Sequence, residues 1–249
     1  PFAFTMGLIE KYGYRKSDHI VTLLPFAHQH IVNKGGTLEK ITYIPNGLEE
    51  GIVDIQNLSD EIAGQIPKDK FIIGYAGTHN KANALEFLID AAIKLKDDNR
   101  FYFVLVGDGY LKEDLISKAQ GLNNILFLKK IHKNQVYSLL NLFDIGYVGR
   151  NATKVYDYGV SGNKYFDYML AKIPVLDSSD VKISPIDLAS NGIKVPAENA
   201  DEIVRAIIQF YGLSAEEREL MMEKGFQFLN ENHSTKILAQ KYIDIFSAN

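Results

Sequence analysis

A loop followed by a helix holds the residues of this chain that are best suited to chemistry. Residues 158–164 read Tyr-Gly-Val-Ser-Gly-Asn-Lys, and an aspartate follows at position 167. The first N–H groups of a helix have no partner within it, so they attract anions. Lys164 adds a positive charge, and Asp167 lies on the same side of the helix and can accept hydrogen bonds from sugar hydroxyls. These groups suit a nucleoside diphosphate sugar, although the same residues also favour an ordinary turn and helix cap.

Apolar strands and amphipathic helices alternate along the chain around this loop. Strands are predicted at residues 20–24, 41–44, 71–76, 101–106, 125–128, 145–148, 175–176 and 193–195. Helices are predicted at residues 1–17, 26–33, 82–95, 111–119, 133–141, 201–210, 215–230 and 235–246, besides the one that begins near residue 163. Residues 49–69 are predicted to be a linker. The alternation from residue 71 onward predicts an α/β fold, a Rossmann-like parallel sheet with helices on both faces.

Each loop that contains a candidate binding residue follows a predicted strand. Ligands of open α/β sheets bind beyond the carboxyl ends of the strands. Gly77 lets the backbone approach a ligand closely, and Lys81 can reach a phosphate, unless it is simply a solvated side chain in a turn. The run Gly107-Asp108-Gly109 starts like a dinucleotide fingerprint but lacks the third glycine, so we interpret it mainly as a tight turn.

Composition narrows the functional classes. The 249 residues are 46% hydrophobic, which is ample for one large or two small domains. The net charge of −4, with both signs interspersed, argues against a general nucleic-acid binder. The chain has no cysteine, so disulfides and thiolate chemistry are excluded. His28 and His30 do not share a helix face, and no other pattern indicates a metal. The chain begins at Pro1 without a methionine, from which we expect an excised fragment or a processed chain.

Four segments resemble glycosyltransferase family 4, near the bacterial amino-sugar and fucosamine transferases of surface-polysaccharide synthesis. They are Ile44-Pro45-Asn46-Gly47, the run Gly74 to His79 with Lys81, Leu105 to Gly109, and the loop and helix at residues 158–169. The resemblance implies a GT-B fold of two Rossmann-like domains. Residues 1–46 would then be a residual segment of the N-terminal acceptor domain with its linker. Residues 47–233 would be the donor-binding domain, and residues 234–249 a helix that crosses back to the N-terminal domain.

The resemblance also implies roles for individual residues. Lys81 and Lys164 would be catalytic and stabilise the leaving phosphate, and Asp167 matches the second acid of the family's paired-acid motif, which binds ribose. The first acid is replaced by Gly159, and an arginine of the family is replaced by Thr78 and His79. Arg150 is a candidate substitute for that arginine, with a plain surface arginine as the alternative. The implied donor-binding residues are Gly77, Thr78, His79, Arg150, Ile131, Gly159, Val160, Ser161, Asn163 and Asp167.

The function implied is transfer of a sugar, with retention of its anomeric configuration, to an acceptor in O-antigen or capsule synthesis. The donor would be a nucleoside diphosphate sugar, with UDP favoured over GDP as the nucleotide. No metal or other cofactor is expected. The resemblance places the full-length protein in the cytoplasm, with a lipid-linked or sugar acceptor and peripheral membrane association. The isolated chain is expected to bind nucleotide but transfer little sugar.

Two alternatives stay open at this stage. A nucleotide-sugar 2-epimerase shares the fold, but its chemistry needs acid and base residues near the sugar, and the sequence has no clear carboxylate cluster. A non-catalytic nucleotide-binding module fits the missing acid and arginine. A dehydrogenase is disfavoured because the glycine fingerprint is incomplete.

Overall fold

The structure, a computed structural model, describes residues 2–47 and 55–247 of the chain. The first of these ranges opens with α1 (Phe2–Lys16) and contains β1 (Ile20–Thr22), α2 (Ala27–Asn33) and β2 (Ile41–Tyr43). The two strands pair in parallel as a small sheet of their own, with Ile20 beside Ile41. Because parallel strands need a crossover, α2 connects them.

The second range forms a six-stranded parallel sheet. Its strands are β3 (Phe71–Ala76), β4 (Phe101–Val106), β5 (Ile125–Leu128), β6 (Ile145–Gly149), β7 (Val175–Ser178) and β8 (Gly192–Val195). The helices of this range are α3 (Asp60–Ala63), α4 (Leu85–Lys94), α5 (Lys112–Lys118), α6 (Val136–Leu140), α7 (Asn163–Leu170), α8 (Pro185–Ala189), α9 (Ala200–Gly212), α10 (Ala215–His233) and α11 (Thr235–Ser247). The strand order is β5-β4-β3-β6-β7-β8, so the order reverses between β3 and β6.

The predicted fold class is confirmed, since all six strands are parallel and helices pack on both faces. The predicted bounds of β3, β4 and β5 match the structure, because strands buried on both faces read as continuous apolar runs. The helix predicted at residues 133–141 begins with a 3₁₀ turn at Lys133–Gln135. The five-residue helix α8 was missed because it is too short to show a period. Residues 49–54 of the predicted linker lie outside the described residues.

The core lies on both sides of the sheet. Phe101 and Phe103 of β4 are fully buried, and helices α4 and α9 cover their face. Helices α6, α7 and α10 cover the other face, against buried residues such as Val104. Burying one such large side chain stabilises the fold by about 1.5–3 kcal/mol. This two-sided burial fixes the strands and therefore the loops at their carboxyl ends.

A glycine in β6 lets α7 pack tightly against the sheet. A β-carbon at Gly146 would lie 2.7 Å from the ring of Tyr168, so only glycine leaves room for this ring. The Tyr168 hydroxyl also donates a hydrogen bond to the carbonyl oxygen of Tyr147 at 3.3 Å. These contacts hold the start of α7, with Lys164, at the carboxyl edge of the sheet next to the point where the strand order reverses.

Candidate functional site

The loops after β3 and β4 interlock through their backbones. The N–H of Gly77 donates to the carbonyl oxygen of Val106 at 2.9 Å, and the N–H of His79 donates to that of Asp108 at 2.9 Å. A β-carbon at Gly107 would lie 1.9 Å from the Gly77 carbonyl oxygen, so this position accepts only glycine. The run Gly107-Asp108-Gly109 is therefore a tight turn, as predicted, but it also forms a wall shared by the two loops.

A cavity of about 550 Å³ opens at this edge of the sheet. Its lining comes from the ends of β3, β4 and β5, from the start of α6 and from α7: Ala76, Gly77, Thr78, Val106, Gly107, Asp108, Gly109, Lys130, Ile131, Lys133, Val136 and Asp167. The volume is in the range of small-molecule sites. Four predicted donor-binding residues, Gly77, Thr78, Ile131 and Asp167, thus meet in one cavity. Lys130 lies next to the predicted Ile131, whereas Lys133, at the start of the predicted helix 133–141, was missed.

The start of α7 presents unpaired N–H groups beside this cavity. Gly162 occupies the N-cap position and offers no side-chain acceptor. The N–H groups of residues 161–164 have no hydrogen-bond partner within the described part of the chain. Free N–H groups at the positive end of a helix are an anion site. Ser161 and Asn163 lie at this position, and their contribution to donor binding stays a prediction.

Lys164 reaches from α7 to the loop after β3. Its Nζ lies 3.3 Å from Oδ1 of Asn83, and a β-carbon at Gly77 would lie 2.6 Å from its Cε. Burial lowers the pKa of Lys164, the charge of Arg150 lowers it further, and the charge of Asp167 opposes the shift. An anion bound between Lys164 and Arg150 would relieve their repulsion.

Arg150 follows β6 and packs against the start of α7. Its guanidinium carbon lies 5.0 Å from the ring centroid of Tyr156 and 5.7 Å from that of Tyr165. A β-carbon at Gly162 would lie 2.7 Å from Nη2 of Arg150. Its Nε is buried and has no hydrogen-bond partner among the residues described. Arg150 is therefore not a plain surface arginine, and its substitution for the family's arginine stays a prediction.

Asp167 places a carboxyl group in the cavity wall, one helical turn after Lys164. Burial raises the pKa of Asp167 to about 6, against the opposing charges of Lys164 and Lys133. At neutral pH the group is mainly an ionised acceptor, and two lysines lie close enough to stabilise it. This is the chemistry expected of an acceptor for ribose hydroxyls.

The structure turns the side chain of His79 away from the cavity, and its predicted part in donor binding stays a prediction. Its side chain is fully buried, with its ring centroid 5.9 Å from that of Tyr75 and 6.4 Å from that of Phe127. Its N–H is used by Asp108, and its carbonyl oxygen accepts from the N–H of Leu111. Burial, together with the charge of Lys112, lowers the pKa of His79 to about 4. The imidazole is therefore neutral and turned into the protein, where neither ring nitrogen has a hydrogen-bond partner among the described residues.

Lys81 lies outside the cavity wall. Its side chain is exposed, and its backbone N–H donates to the Tyr110 hydroxyl at 3.1 Å. The side chain of Lys164 contacts Gly77, whereas the side chain of Lys81 does not line the cavity. The catalytic role of Lys81 stays a prediction.

Gly159, which replaces the first acid, is tightly restricted. Its φ is +91°, in the region that favours glycine, and a β-carbon there would lie 2.6 Å from Cγ of Pro25. Its N–H already donates to the carbonyl oxygen of Tyr156 at 3.0 Å, so the predicted backbone contact cannot use this N–H. The side chain of Val160 is buried, and only its backbone remains available. A side chain at position 159 would therefore clash with Pro25.

Across residues 2–47 and 55–247, no group of three or more His, Asp or Glu side chains could hold a metal ion. In the same residues, no helix is long and apolar enough to cross a membrane.

The sheet order and the cleft where it reverses define a Rossmann-like α/β domain with a ligand-sized site at its carboxyl edge. Residues 70–212, more than half of the chain, match the family described as "Glycosyl transferases group 1". The chain belongs to this family.

Three relatives illustrate the similarity. The chain is 29% identical over 143 residues to the "Putative colanic acid biosynthesis glycosyl transferase WcaI" of Escherichia coli (strain K12), a match that covers 54% of this chain and 34% of that protein. The chain thus spans about a third of the length of this curated relative. Anabaena Alr3699/HepE, solved in complex with UDP and glucose, matches with a TM-score of 0.77 at 15% identity, over 99% of this chain and 67% of that one. The C-terminal domain of the group 1 family protein LpcC from Francisella tularensis matches with a TM-score of 0.60 at 18% identity, over 76% of this chain and 100% of that one.

Proposed function

We propose that this chain binds the nucleoside diphosphate sugar donor of a glycosyltransferase at the carboxyl edge of its six-stranded sheet. The observation that carries the proposal is the start of α7. Four N–H groups there have no partner among the described residues, and Lys164 and Arg150 lie beside them. A diphosphate in this position would accept hydrogen bonds from the N–H groups and lie next to both cations.

The nucleoside would occupy the adjacent cavity. Asp167 would accept hydrogen bonds from the ribose hydroxyls, and the backbone near Ile131 would hold the base. We favour uridine as this base, with support from the UDP held by the Anabaena protein of the same fold. The diphosphate would then extend along α7, and the sugar would lie near Val160 and Ser161.

We further propose transfer with retention at the front face of the sugar. The acceptor oxygen would form a bond to the anomeric carbon as the bond from that carbon to the phosphate oxygen breaks on the same side. The proton of the acceptor hydroxyl would pass to the leaving phosphate oxygen. Lys164 and Arg150 would stabilise the negative charge that develops on this phosphate, without a metal ion or other cofactor. The protein would contribute positioning and charge, and no nucleophile.

The proposed pathway is surface-polysaccharide synthesis, such as that of O-antigen or capsule, with an amino sugar as one candidate donor. The similarity to a relative named for colanic acid biosynthesis supports this class of product. The full-length protein would work in the cytoplasm at the inner membrane face on a sugar or lipid-linked acceptor.

Calorimetric titration of the chain with UDP, GDP and ADP tests donor binding. We expect saturable binding of UDP, weakened by Lys164→Ala and by Asp167→Ala. Lys96→Ala is the matched control, because Lys96 is exposed between α4 and β4, at the opposite edge of the sheet. A folded chain that binds none of the three nucleotides would refute the proposal, and tighter binding of GDP would refute only the choice of base.

A further inference from the structure

Asn46 links the N-terminal part of the chain to the loop before α7. Its backbone N–H donates to Oγ of Ser161 at 2.9 Å. Its side-chain Nδ2 donates to the carbonyl oxygen of Ser161 at 2.8 Å and to Oδ1 of Asn163 at 3.0 Å. One residue therefore makes three hydrogen bonds to a segment that lies 115 positions further along the chain.

Asn46 and Gly47 also contact the bend between α10 and α11. The carbonyl oxygen of Asn46 lies 3.0 Å from Nδ1 of His233, whose ring centroid lies 4.1 Å from that of Phe166 in α7. A β-carbon at Gly47 would lie 2.5 Å from Cδ1 of Leu238, so the chain passes closely against α11. Asn46 is thus fixed between this bend and the loop before α7.

The two side-chain acceptors that Asn46 engages are of the types that cap helices. Ser and Asn oxygens at a helix start accept hydrogen bonds from its first N–H groups. Oγ of Ser161 and Oδ1 of Asn163 lie at the start of α7, and each accepts a hydrogen bond from Asn46. Neither oxygen bonds a helix N–H group, and the N–H groups of residues 161–164 have no partner among the described residues.

We propose that Asn46 is a positioning residue that keeps the start of α7 open for the donor diphosphate. This inference rests on the function proposed above. Asn46 acts through Ser161 and Asn163, without touching the donor. When its side chain is removed, Oδ1 of Asn163 is freed and can fold back onto the helix start to compete with the phosphate, while the backbone N–H of residue 46 still bonds Oγ of Ser161.

The test compares UDP with uridine in Asn46→Ala. Uridine lacks the diphosphate and would bind only in the cavity, which Asn46 does not line. We expect UDP affinity to fall about tenfold, the order of one hydrogen bond to a charged group, and uridine affinity to be unchanged. If Asn46→Ala does not fold, Asn46→Ser serves the same comparison. Its shorter side chain cannot reach both the carbonyl oxygen of Ser161 and Oδ1 of Asn163.

Asn124→Ala is the matched control. Asn124 is a buried asparagine whose Nδ2 donates to the carbonyl oxygen of Ala92 at 2.9 Å, outside the cavity lining and the start of α7. We expect this variant to lose stability but to keep both affinities. An unchanged UDP affinity in Asn46→Ala, or an equal loss for UDP and uridine, would overturn the inference while leaving donor binding intact. A wild-type chain that binds no UDP would instead overturn the proposed function, and this inference with it.

Discussion

At the scale of residues, Lys164 and Lys81 have the same charge but different surroundings. Lys164 lies against Gly77 and the start of α7, whereas Lys81 is exposed outside the cavity wall. We therefore expect Lys164→Ala to weaken UDP binding by about 10–100-fold, as the loss of a hydrogen bond to a charged group does. Lys81→Ala should weaken it by less than about threefold. Calorimetry measures both, and an equal loss in the two variants would contradict the assignment.

The raised pKa of Asp167 predicts a pH dependence. Its carboxyl group is ionised above pH about 6 and neutral below, because burial raises its pKa to about 6. The ionised form accepts hydrogen bonds at both oxygens, so uridine affinity should fall as the pH is lowered through about 6. Uridine is the suitable ligand because it has no phosphate that titrates in this range.

Asp167→Asn is the control for this pH dependence, because the amide keeps its size but does not titrate. We expect its uridine affinity to be lower than that of the wild type at pH above 6 and constant as the pH falls. The neighbouring Lys133 and Lys164 stay available in both proteins. A wild-type affinity that does not change across this range would show that Asp167 does not bind the ribose.

Individual residues differ in how far the sequence predicts them. Lys164 and Asp167 were predicted because their spacing on one helix is a local property. The inward position of His79 was not, because it depends on how the loop after β3 packs on Phe127 of β5. The same limit applies to Lys133, whose place in the cavity wall depends on the position of α6.

At the scale of elements, the loop before α7 is shaped by packing on Pro25, and this predicts an effect of Gly159→Ala. The new alanine would have to adopt φ +91°, and its β-carbon would lie 2.6 Å from Cγ of Pro25. We expect a loss of unfolding free energy of about 1–3 kcal/mol, measured by denaturant unfolding. Gly121→Ala is the matched control, since Gly121 has φ +85° but no other group within 4 Å of a β-carbon. Gly121→Ala should lose only the free energy that corresponds to backbone strain. An equal loss of unfolding free energy in both variants would contradict the role of Pro25.

The bounds of buried parallel strands can be predicted from the sequence. β3, β4 and β5 were predicted with their observed bounds because buried parallel strands are continuous apolar runs. The segment Ile44-Pro45-Asn46-Gly47 was noticed only as a family resemblance. Its hydrogen bonds to Ser161 could not be predicted, because contacts between residues 115 positions apart leave no local pattern.

At the scale of the whole molecule, three distant parts of the chain meet at the loop before α7. Pro25 packs on Gly159, Asn46 binds Ser161, and His233 lies between Asn46 and Phe166. The predicted division at residues 46 and 233 therefore runs through a set of connected contacts. The division into domains stays a prediction, whereas the α/β class was predictable because alternation of strands and helices is a feature of the whole sequence.

Backbone amide signals followed by NMR during a titration with UDP test most directly whether the start of α7 binds the donor diphosphate. We predict that the largest shifts fall on residues 161–164, with further shifts at Gly77, Gly107 and Ile131 around the cavity. Uridine should shift the cavity signals and leave those of residues 161–164 nearly unchanged. UDP shifts that avoid residues 161–164, or that are the same as those of uridine, would contradict the account.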